Sequence, residues 1–126
     1  MTEYRTKPLG RSLLLDELAF VCGKLKQVGT SQVAVSFGWA SNLTIDELWK
    51  EAQVRVEELR EYVAKAERDG TVEIAKADLF VKSEDFQFTL CHEGDAHVSG
   101  ISSVAHEVVQ RWREMGYEPY EVQQRA

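Results

Sequence analysis

The sequence predicts an α+β domain in which an antiparallel-rich sheet carries its helices on one face. Three observations lead there. Apolar stripes at helical spacing occupy residues 12–28 and 104–115, and strict two-residue alternation marks Val33, Val35 and Phe37 and then Phe86, Phe88 and Leu90. Only two prolines interrupt a chain of 126 residues. Hydrophobic residues at 44% and charged residues at 29% fit a globular chain and exclude a disordered or fibrous one. The length suits one domain spanning residues 1–126, with 1–11 as an N-terminal arm and 123–126 as a frayed tail.

The first helix runs from about Ser12 to Val28. It places Leu14, Leu18, Val21, Cys22, Leu25 and Val28 on one stripe and stops at Gly29. Leu13 and Phe20 point away from that stripe, so either the arm or another molecule covers them. Residues 29–43 carry no charge and read as an interior strand followed by a turn. Thr44 and Glu47 then fit a capping box. From that cap, Ile45, Trp49, Ala52, Val56, Leu59, Val63 and Ala66 recur at spacings of four and three, which predicts a helix from Ile45 to Arg68 ended by Gly70. The pairs Asp46–Lys50, Glu51–Arg55 and Glu61–Lys65 would support it. At ~1.5 Å per residue it would be roughly 35 Å long. Its seam serves either packing on the chain's own sheet or a homodimer.

Three strand-like runs follow, over residues 71–82, 86–92 and 96–99, with a β-bulge expected near Ala75, where the alternation changes phase. Ser103 is expected to cap a third helix bearing Val104, Ala105, Val108, Val109, Trp112 and Met115. Tyr117 to Val122 makes an edge strand, because Pro119 has no N–H for a ladder. Without the first helix and one short strand, the order is the ferredoxin-like βαββαβ. That arrangement hosts unrelated functions and licenses none.

Net charge is −6, unevenly spread: residues 1–28 carry +2, residues 44–70 carry −3 and residues 71–100 carry −4. With no Lys/Arg cluster to neutralise phosphates, nucleic-acid binding is excluded, and the acidic middle suits a basic protein partner. No apolar run is long enough for a signal peptide or a membrane span, so a cytoplasmic protein without a membrane role is expected. Cys22 and Cys91 read as reduced, buried thiols.

The segment Cys91-His92-Glu93-Gly94-Asp95-Ala96-His97 holds the densest chemistry. A zincin motif needs histidines four apart on a helix, and these are five apart across a glycine. If Gly94-Asp95 is a two-residue type II′ turn, His92 faces His97 across the hairpin. Two imidazoles are short of the three protein ligands a zinc site needs, so no metal or cofactor is expected. A Cys91–His92 nucleophile is excluded on the ground that adjacent strand residues point to opposite faces. Trp39, beside small polar residues where the uncharged strand runs out, suits a ligand mouth, while Trp49 and Trp112 read as core. No assembled catalytic motif is present. The expectation is therefore an acidic protein–protein interaction module, an inhibitor, immunity-type or adaptor protein, binding through Leu13 and Phe20. The alternative is a small enzyme or a ligand- or metal-binding domain with Trp39, His92 and His97 near its pocket.

Overall fold

The structure is a computed structural model and describes residues 2–123. Its strands are β1 (Thr2–Arg5), β2 (Gln32–Phe37), β3 (Ala52–Arg55), β4 (Leu79–Ser83), β5 (Phe86–Leu90), β6 (Ala96–Gly100) and β7 (Tyr120–Gln123). Its helices are α1 (Arg11–Gln27), α2 (Leu59–Arg68) and α3 (Ser103–Glu114), with a 3-10 turn at Val56–Glu58 ahead of α2. The seven strands form one sheet in the order β3-β2-β4-β5-β6-β1-β7, and every neighbouring pair is antiparallel. The α+β class stands. The sheet is larger than the sequence predicted, and its order is not that of the ferredoxin-like fold.

Register explains the layering. Val35, Val81, Phe88, Val98 and Tyr4 stand opposite one another from strand to strand. That side meets the helices: Leu14, Leu18 and Leu25 of α1, Leu59 and Val63 of α2, and Val108 and Trp112 of α3 close one core with it. α1 lies between the other two helices and touches both. Residues on the other side of the strands are mostly polar. Phe80, Thr89, His97, Arg5 and Tyr120 form one cross-strand row there, and Lys82, Gln87, Ser99, Glu3 and Val122 form the next. None of the described helices packs on this second face.

Several expectations fail for physical reasons. The helix predicted from Ile45 is a single turn: Thr44 and Glu47 do bond side chain to side chain at 2.8 Å, but the turn breaks at Trp49, which adopts φ 68°. Ala52 and Val56 fit helical spacing, but with Val54 between them they also fit strand alternation, and pairing with β2 wins. The predicted ion pairs are replaced. Glu51 reaches Lys82, Arg55 pairs with Glu57, and Glu61 pairs with Arg68. With that helix shortened to α2, the long seam that raised a homodimer is gone.

Residues 2–5, expected as part of an arm, are strand β1, inserted between β6 and β7. Residues 71–78 are not a bulged strand; Ile74 and Ala77 form an isolated bridge around Ala75 at φ 79°. Trp49 is half-exposed rather than core, and Ser102, not Ser103, caps α3 by accepting from the Ala105 N–H. β7 is an edge strand, as Pro119 implied. Apart from Gln123, the tail expected at 123–126 lies outside the described residues. Among the described residues, no helix is long and apolar enough to cross a membrane.

Candidate metal centre around Cys91

Strand β5 ends at Leu90, so the hairpin to β6 is a five-residue loop, 91–95, and not the two-residue turn that the Gly94-Asp95 pair implied. The loop closes on itself through Cys91 N–H to Asp95 C=O at 2.8 Å and Gly94 N–H to Cys91 C=O at 3.0 Å. Gly94 takes φ 89°, which its missing Cβ allows, and its carbonyl accepts from Leu9 and Gly10. Buried Thr6 brackets the far side, its hydroxyl accepting from the Ala96 N–H at 3.0 Å. The loop is thereby pinned to the segment that joins β1 to α1.

The longer loop moves both histidines. His97 stands opposite Thr89 on β5 and Arg5 on β1, not opposite His92. His92 has left the strand and does not face the helices, as continued alternation would require. Its backbone N–H and its Nδ1–H both donate to Asp78 Oδ1, at 2.8 and 2.7 Å. Asp78 is buried just ahead of β4, and its own N–H donates to the Trp39 carbonyl. On the other side, His97 Nε2 lies 2.8 Å from Asp95 Oδ2.

Between these two imidazole–carboxylate pairs sits the buried thiol of Cys91. Its sulfur is 3.8 Å from His92 Nδ1. One donor atom from each of Asp78, Cys91 and His92 lie within 4.8 Å of one another, and the same holds for Cys91, Asp95 and His97. The two groups share the sulfur. The remaining Asp95 oxygen, Oδ1, is buried with no hydrogen-bond partner among the described residues. A buried acceptor in that state costs about 1–3 kcal/mol unless something else satisfies it.

Electrostatics follow from this packing. Burial, reinforced by the charges of Asp95 and Asp78, pushes the Cys91 thiol up to about 12. Burial also pushes the Asp95 carboxyl up, but its hydrogen bond to His97 and the neighbouring groups outweigh that and hold it below the usual range. His92 is raised, first by its hydrogen bond to Asp78. The thiol is thus protonated at neutral pH and is no nucleophile. The ground for excluding a Cys91–His92 dyad, that the two side chains point to opposite faces, fails here, because they do approach each other.

Models of known protein families, curated proteins and solved structures were compared with the chain, and none matched. The reading of this centre therefore rests on its own chemistry.

The structure brings three predicted site residues to one end of the polar sheet face: His92 and Trp39 through Asp78, and His97 through Asp95 and Cys91. Trp39 is 62% exposed and packs edge-on against Trp49, which in turn covers Phe80. Leu13 and Phe20 lie elsewhere, on α1. Leu13 is at the margin of exposure, while Phe20 is half-buried under the Arg111 guanidinium at 4.6 Å and the Lys24 ammonium at 5.5 Å. His106, the only other histidine, is exposed on α3 and lines a separate groove.

Asp78 escaped the sequence reading, and Cys91 and Asp95, though inside the segment it singled out, were not read as site residues. One signal was present. Counted back from Lys82 and Phe80, Asp78 falls on the polar face, and counted on from Gln87 and Thr89, so does Cys91.

Proposed function

We propose that this protein is a metal-binding domain that holds one divalent transition-metal ion of the zinc class on the Cys91 sulfur. The observation that carries the reading is the pair of three-donor groups sharing that sulfur, Asp78–Cys91–His92 and Cys91–Asp95–His97. Sulfur, imidazole and carboxylate together suit zinc and its neighbours and disfavour magnesium and calcium, which take oxygen donors. An ion on the sulfur would find an imidazole and a carboxylate on either side, and so at least the three protein ligands such sites need. The cation would displace the thiol proton, which now serves the Asp95 carboxylate, and take its place beside that carboxylate.

Calorimetric titration of chelator-stripped protein with zinc tests this. One site per chain is expected, weakened at least a hundredfold in Cys91→Ala and at least tenfold in His97→Ala, and unchanged in His106→Ala. Absence of binding, or equal binding by folded Cys91→Ala, overturns the reading.

A second reading, a protein-interaction module, is favoured by Trp39, Ile45 and Trp49, which are 62%, 85% and 45% exposed on the segment between β2 and β3. This segment suits a partner better than Leu13 and Phe20 do, because the Phe20 ring is already covered by two cations. Serine at Trp39 and Ile45 would abolish capture of such a partner and leave zinc binding intact.

A further inference from the structure

The last helix, α3, sits over the middle of the sheet and not over its β7 end. It packs chiefly on β5 and β6 and reaches β1 through Arg113, which lies over the Tyr4 ring. The step between α3 and β1 is a groove of about 480 Å³. That volume lies within the range of small-molecule sites. Its floor is apolar, made by Val98, Ala105 and Val109, and Tyr4 forms one wall.

Charge distinguishes this groove. In a chain of net charge −6, its ionisable lining among the described residues is His106, Arg113 and the phenol of Tyr4, with no carboxylate. The grooves beside β3 and beside α2 each mix acids with lysines, as Glu51, Lys82 and Asp85 do in one of them. Arg113 rests 6.0 Å from the centre of the Tyr4 ring and makes no ion pair with a described acid. Glu121, opposite Tyr4 on β7, is hydrogen-bonded to Gln123 and does not line the groove.

We infer that this groove binds a small organic monoanion, a carboxylate with an apolar body of several carbons. The body lies on Val98, Ala105 and Val109 and against the exposed Ile101 at the mouth, and the carboxylate pairs with Arg113, whose planar guanidinium matches it. The site lies on the helix side of the sheet and is independent of the Cys91 centre on the polar side.

The test is a titration of the ¹⁵N-labelled protein followed by amide chemical shifts, with octanoate as the probe and octanol and acetate as its uncharged and truncated counterparts. Octanoate should give saturable shifts at Tyr4, Val98, Val109 and Arg113, at least tenfold tighter than either counterpart. Arg113→Gln, at an exposed position, should weaken octanoate at least fivefold without moving the rest of the spectrum. Failure to saturate at millimolar octanoate overturns the inference. So does equal binding of octanol, or equal binding by Arg113→Gln.

Discussion

Replacing Glu17 probes how α1 and α3 are held over the sheet. Its carboxylate is 1% exposed and accepts from the Trp112 indole N–H at 2.7 Å and from Arg111 at 3.0 and 3.1 Å. Glu17→Ala leaves the indole donor of a fully buried tryptophan unpaired. Losing a hydrogen bond to a charged acceptor costs about 1.5–3 kcal/mol. The Arg111 side chain is 26% exposed and can turn to water, so its part is about 1 kcal/mol or less. The total is about 3 kcal/mol, a large share of the ~5–15 kcal/mol that holds a domain together. Glu17→Gln keeps an oxygen for the indole and should cost about half as much. Arg111→Met should cost more than Glu17→Gln, about 3–5 kcal/mol, because it strands a buried carboxylate. Urea denaturation of the three variants measures these differences. A Glu17→Ala change below about 0.5 kcal/mol, or equal costs for Ala and Gln, would refute the reasoning.

Gly100→Ala should destabilise by several kcal/mol, read as a lower melting temperature, because at φ 128° an added Cβ would press on the Asp85 carbonyl and lie 2.9 Å from Phe86 Cα. Thr44→Ala should cost less than about 0.5 kcal/mol in urea, since its capping box closes one exposed turn and not a long helix, where ~1 kcal/mol is usual. Glu67 supplies a pH test. Burial raises its carboxyl, but hydrogen bonds from Arg11 and the Ile74 N–H outweigh this and hold it below the ordinary 4.5. Its contribution to stability is therefore complete above about pH 4.5 and lost as pH falls through the lower folded value, so Glu67→Gln should show a shallower acid loss than the parent in urea midpoints between pH 3 and 6.

Legibility followed locality. α1 and α3 could be read because their apolar stripes, Leu14 to Leu25 and Val104 to Trp112, are set by neighbours within a few residues and end at glycines with positive φ. β1 could not, because Thr2–Arg5 alternates polar side chains and exists through pairing with β6 and β7, some 90 residues or more along the chain. Residues 52–56 carried two periods at once, and the β2 edge decided between them. At the site, the histidines and Trp39 stood out by residue type. Asp78 joins them only through the sheet, and Cys91 and Asp95 only because the hairpin loop is five residues long.

Cobalt(II) absorption reports most directly whether Cys91 is a metal ligand. Titrating chelator-stripped protein with cobalt should produce a near-ultraviolet thiolate-to-cobalt charge-transfer band that saturates at one equivalent and bleaches when zinc is added. If cobalt produces no such band, or if folded Cys91→Ala produces the same one, the sulfur holds no metal and the central claim is wrong.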